Sequence, residues 1–172
     1  MRALVIGLGN VLMGDDAFGP SVVESLETAY EFPPGVTVLD GGTPGLNLMP
    51  LMMDYEALIV VDTVKAKGRV GEMRLYRKED LSPKARSPRN GPHEPGLDEV
   101  LTALDLAGRG PREVLLVGVI PESVETGTGM SEALRAAVPA AGRVVVEELG
   151  RLGLAGVAKK GGVKRAPWWE AA

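Results

Sequence analysis

Short apolar runs that stop abruptly at glycine or aspartate, alternating with stretches of helical periodicity, constrain the architecture of this chain more than any other feature. Ala3 to Gly7 is one such run, partly β-branched and closed by glycine, which predicts a buried strand followed by a tight turn. Val36 to Leu39 and Ala57 to Val61 repeat the pattern, and each is closed by an aspartate, Asp40 and Asp62. Between the first two runs, Val22, Val23, Leu26 and Tyr30 recur at three- and four-residue spacing with Pro20 in the first turn. That predicts a helix with one apolar face, ended by Pro33-Pro34-Gly35. Both later strands are expected parallel to the first.

Val70 to Tyr76 alternates without an intervening helix after the third strand, so it is expected to run antiparallel at an edge. Lys78 to Pro92 is polar, carries Pro83, Pro88 and Pro92 with four basic residues, and predicts a long exposed loop. Loops of about 15 residues in a compact domain usually serve function. Leu97, Val100, Leu101 and Leu104 define a further amphipathic helix. Val114 to Val119 is expected to be the last strand, and Leu134 to Leu152 a final helical region that Pro139 interrupts and restarts. The sum is an α/β fold: a three-layer α/β/α sandwich around a mainly parallel, mixed, five-stranded twisted sheet.

Length and composition narrow the function classes. At 172 residues one domain suffices to bury a core. There is no cysteine, which excludes thiol nucleophiles, disulfides and iron–sulfur ligation. The amino-terminal apolar run is too short for a secretion signal, and no stretch reaches the roughly 18 apolar residues of a membrane span, so a cytoplasmic protein without membrane partners is expected. Of the formal net charge of −4, residues 159–172 contribute +3 through Lys159, Lys160, Lys164 and Arg165 against Glu170, leaving −7 for the body. The expected organisation is one α/β domain over residues 1–158 and a basic tail over 159–172 that is flexible or docks a partner through Trp168 and Trp169. Four basic residues are too few to imply nucleic acid.

Chemistry in such folds gathers at the carboxyl ends of parallel strands. Three segments reach that edge: Gly7 to Asp16, the end of the third strand at Asp62, and Gly91-Pro92-His93 ahead of a helix. Two carboxylates held ~5 Å apart at an effective dielectric of ~20 repel by roughly 3 kcal/mol, which a divalent cation relieves. Oxygen and imidazole donors suit nickel, zinc, iron or manganese, and three ligands leave a position open for water or substrate. Against this stand plainer readings: Asp16 as the cap of the helix it precedes, His93 as a helix start, and Asp62 satisfied by a loop backbone. His93 is the only histidine, which rules out two-histidine zinc motifs, and no G-x-S-x-G elbow supports a serine triad. Gly7 and Gly9 imitate a dinucleotide turn, but Leu12 stands where the third glycine belongs and Asp15 and Asp16 would repel a pyrophosphate. Met49, Met52 and Met53 read as core filling.

Taken together, GLGNVLMGDDAFG at 7–19, DGGTPG at 40–45, the VVD ending at Asp62, GPHEPGLDEVLTAL at 91–104 and VGVIPES at 117–123 resemble the hydrogenase maturation endopeptidases over nearly the whole chain. The resemblance implies an endopeptidase that trims the C-terminus of a nickel–iron hydrogenase large-subunit precursor, with Asp16, Asp62 and His93 as both metal-reading and catalytic residues. Several members carry glutamate where this chain has Asp16. It implies nickel supplied by the substrate, with another divalent metal as an option in the isolated protein; a monomer or weak homo-oligomer is expected. Asp40, Gly41, Gly42 and Thr43 stand where a substrate backbone would pass. The alternative from another class is a nickel-reading chaperone that docks the precursor without cutting it.

Overall fold

The computed structural model describes residues 1–43, 46–81, 97–127 and 129–160. Its main sheet has β1 (Ala3–Leu8), β3 (Val36–Gly42), β4 (Ala57–Thr63), β5 (Met73–Arg77) and β6 (Glu113–Val119), in the spatial order β3-β1-β4-β6-β5. β1, β3, β4 and β6 are parallel, and β5 pairs antiparallel with β6 at the edge. A second, two-stranded sheet pairs β2 (Tyr30–Glu31) with β7 (Val157–Ala158). The helices are α1 (Phe18–Ala29), the one-turn α2 (Met49–Met52), α3 (Leu97–Leu106) and α4 (Glu132–Arg151).

The continuous apolar strands exist because both faces of the sheet are covered. Side chains alternate across a strand, so Val5, Ile59, Val61 and Val117 join Phe18, Val22 and Leu26 of α1 and Leu134, Val145 and Leu149 of α4 in one core layer. Leu4, Ile6, Leu58, Val60 and Leu116 point the other way and meet Leu48, Met52 and the Val100, Leu101 and Leu104 stripe of α3. Met52 is fully buried, with Met49 and Met53 packed against the same layer, as core filling requires. The chain leaves β1 along one face and, beyond β3, continues along the other, so the carboxyl ends of the neighbouring strands β1 and β4 frame a crevice.

Four details depart from the periodicity. α1 ends at Ala29, and Tyr30 is extended, since it pairs with Ala158 and stacks its ring on Phe32 with centroids 5.9 Å apart. β5 begins at Met73, after a turn in which Gly71 has a positive φ of 80°. β6 is followed by one more short strand, β7. Pro139 does not restart α4, which is one helix of 20 residues. The proline sits on its exposed side, where helices that wrap a core already bend away from ideal hydrogen bonding. The loop expected from Lys78 opens with a short 3-10 turn, Lys78–Leu81, that buries Leu81; residues 82–96 lie outside the described residues, as do 161–172 of the tail. Among the described residues no helix is long and apolar enough to cross a membrane.

Candidate active site

The first loop is built on backbone contacts that only glycine permits. A Cβ on Gly7 would stand 2.4 Å from the carbonyl oxygen of Gly19, and one on Gly19 would stand 2.2 Å from that of Leu8. Gly9, at φ 137°, would carry its Cβ 1.9 Å from the Asp16 carbonyl oxygen. The glycines therefore serve the return of the loop onto β1 and the start of α1, not the approach of a pyrophosphate.

The two adjacent aspartates in this loop do different things. They lie in a 3-10 turn, Gly14–Ala17, whose tight rotation sends consecutive side chains in different directions. Asp15 is buried, and its carboxylate accepts from Ser131 N at 2.6 Å, Glu122 N at 2.7 Å and the Ser131 hydroxyl at 3.0 Å. Ser131 is the N-cap of α4 and accepts from Leu134 N. Backbone bonds from Gly14 N to Gly127 O and Asp15 N to Ser123 O complete a clamp between the first loop and the segment after β6.

Asp16 is half-buried and turns to the crevice. Its carboxylate accepts from Asn10 N at 2.7 Å and from the Thr63 hydroxyl at 3.3 Å. It does not cap α1: the N-cap there is Ala17, with no side-chain bond. Asp62, 7% exposed, is the penultimate residue of β4, before Thr63, and its Oδ1 accepts from Thr63 N at 2.7 Å. Thr63 thus touches both acids, its hydroxyl on Asp16 and its amide on Asp62. Strand alternation sets this up. Thr63 follows Val61 towards the α1 layer, and Asp62 follows Val60 towards the α3 layer.

Asp40 is exposed, and its carboxylate accepts from Gly42 N at 2.9 Å, a local turn. A Cβ on Gly41 would crowd Ile6 and Leu8, whereas Gly42, at φ 62°, faces open space and gives its carbonyl to Gly9 N. Packing and turn geometry thus account for both glycines, and Thr43 is exposed beside them. His93 lies outside the described residues; it precedes α3, which packs on the face to which Asp62 points. Among the described residues no three His, Cys, Asp or Glu side chains gather as a metal site.

Sequence reasoning missed the roles of Asp15, Thr63 and Ser131. Ser131 carried a usable signal, a serine three residues ahead of the first apolar helix position, Leu134. The partners of Asp15 are more than a hundred residues away, beyond the reach of any local pattern.

Comparison with known proteins places this geometry. The family model for hydrogenase maturation proteases matches residues 20–148. The hydrogenase 2 maturation protease of Escherichia coli (strain K12) is 37% identical over 161 residues, which cover 93% of this chain and 98% of that protein. The hydrogenase expression/formation protein HoxM of Azotobacter vinelandii is 36% identical over 163 residues, 94% of this chain and 79% of that one. Among solved structures, the hydrogenase maturating endopeptidase HybD from E. coli superposes with a TM-score of 0.84 at 38% identity, covering 92% of this chain and 98% of that one. The NiFe hydrogenase maturation protease HycI from Thermococcus kodakarensis KOD1 shares the fold, with a TM-score of 0.71 at 24% identity over 87% and 92% of the two chains. With a family model that matches residues 20–148, relatives alike over nearly its whole length and a shared, mostly parallel sheet, this chain belongs to the hydrogenase maturation proteases.

Proposed function

We propose that this protein is the endopeptidase that removes the C-terminal extension of a nickel–iron hydrogenase large-subunit precursor, and that it recognises the precursor through the nickel already seated in it. The observation that carries the proposal is that Thr63, at the end of β4, bonds Asp16 through its hydroxyl and Asp62 through its amide, which brings both acids to the carboxyl end of one strand. Two carboxylates at one strand edge form a hard, anionic face suited to a divalent cation carried by the substrate. His93, ahead of α3, supplies the imidazole of the set, and Asp40 to Thr43 form the rim along which the precursor tail passes.

Peptide hydrolysis here needs a water molecule to attack the scissile carbonyl, a base to take its proton, and the return of that proton to the departing amine. A carboxylate of the crevice is the base. A precursor without nickel lacks the contact that brings its scissile bond to these acids, so reading and cutting are one event. The enzyme works in the cytoplasm as a monomer or weak homo-oligomer, without nucleic acid or membrane.

Incubation with nickel-loaded and nickel-free precursor, followed by intact mass, is the test. The parent protein shortens only the loaded precursor. Asp16→Asn, Asp62→Asn and His93→Gln fold and leave it intact. Processing at the parent rate by all three variants overturns the site, and equal cutting of nickel-free precursor overturns nickel recognition.

A further inference from the structure

Thr63 stands at the one position in the described site where a single residue contacts both acids, and it contacts them with different groups. The hydroxyl donates to Asp16 Oδ1 at 3.3 Å, across 47 residues of sequence, while the amide donates to Asp62 Oδ1 at 2.7 Å. Thr63 is itself buried and fixed in the ladder opposite Val119 of β6, so neither donor drifts. Asp16, by contrast, lies in the 3-10 turn that joins the first loop to α1. Its other oxygen accepts, among the described residues, from Asn10 N of the first loop. Among the described residues, the Thr63 hydroxyl is the bond that ties the Asp16 carboxylate to the sheet, and so to Asp62.

We infer that Thr63 is a positioning residue, a clasp that holds the carboxylates of Asp16 and Asp62 in one fixed relation across the crevice. The inference rests on the assignment of those two acids as the site. A site assembled from a loop and a strand keeps its geometry only if something rigid spans them, because a displacement of about 1 Å of a reacting group costs about 100-fold in rate. The β-branched side chain adds to this, since its rotamer is restricted by the strand and its hydroxyl keeps one heading. Removing the hydroxyl leaves Asp16 hydrated, for it is half-exposed, and still bonded to Asn10 N, but without its bond to β4.

The test compares Thr63→Val, which keeps shape and loses the hydroxyl, with Thr63→Ser, which keeps the hydroxyl, both in the full-length protein with nickel-loaded precursor. Thr63→Val should lower kcat by about 10- to 100-fold with KM within about threefold of the parent, and Thr63→Ser should restore kcat to within about threefold. Parent-like kcat in Thr63→Val overturns the inference, as does a Thr63→Ser variant as slow as Thr63→Val. Asp16→Asn run alongside separates the two levels. If it is inactive while Thr63→Val is not, the clasp alone fails; if it too is fully active, the site assignment fails.

Discussion

Asp15 and Asp16 are chemically identical neighbours, and the structure predicts opposite consequences for the same substitution in each. In Asp15→Asn one of two carboxylate oxygens becomes an NH2 group. Placed at Oδ1 it faces Ser131 N–H, and placed at Oδ2 it faces Glu122 N–H. Either way a buried donor loses its acceptor, at a cost of about 1–3 kcal/mol. The remaining bonds lose their ionic character, and the Ser131 hydroxyl, which also caps α4, is disturbed, for roughly another 1 kcal/mol. The total is about 3 kcal/mol, a large part of the stability of a domain. With a urea m-value of about 2 kcal/mol per molar, the unfolding midpoint should fall by about 1.5 M. Asp16→Asn keeps one carbonyl oxygen for Asn10 N and is open to water, so its midpoint should shift by less than about 0.5 M while precursor cleavage is lost. Equilibrium urea unfolding followed by circular dichroism reads both. A shift under 0.5 M for Asp15→Asn, or equal shifts for the two variants, would refute this division of labour.

Glu148 of α4 gives a pH prediction. Its burial pushes the carboxyl up, but the guanidinium groups of Arg151 and Arg77 outweigh this and hold it at about 2 against an ordinary 4.5. A lowered pKa stabilises the fold above pH 4.5, and this contribution is lost as pH falls from there towards 2. Since both arginines are about half exposed, the loss should be about 2 kcal/mol, and Glu148→Gln should flatten the stability profile across that window; an unchanged profile counts against the cluster. Gly19→Ala would bring its Cβ to 2.2 Å from Leu8 O and 2.6 Å from Val61 O, backbone atoms that cannot step aside. It should cost about 3 kcal/mol in thermal or urea unfolding, and a neutral result would mean that α1 sits farther from the sheet than described.

What was legible in advance follows the range of the forces involved. The strands and their covering helices are local patterns: Ala57 to Val61 is apolar throughout because α1 and α4 cover one side of it and α3 the other, and that double burial is written in five consecutive residues. The mixed sheet was legible too, since no helix-length segment separates β4 from β5 and an antiparallel edge strand is what remains. Tyr30 was misplaced on α1 because its spacing fits a helix face. Its partner, Ala158, is 128 positions on and decides otherwise. Proline usually breaks a helix, but Pro139 lies on the exposed side of α4, where the missing donor falls among bonds that are already weakest.

The same rule of range separates the two acids of the crevice from what holds them. Asp62 was visible because a charge at the end of an all-apolar strand has no local excuse, and Asp16 because it follows a glycine-rich turn. Their support was not visible. A threonine after an aspartate in a strand, or a second aspartate in a turn, is unremarkable until the fold brings residue 63 to residue 16 and residue 131 to residue 15. Sequence therefore exposes the two acids, which break local rules, and conceals the groups they bond to, which obey them. In the proposed site the concealed groups would set the spacing between the Asp16 and Asp62 carboxylates, and that spacing would decide whether the two acids merely repel each other or present one face to a cation.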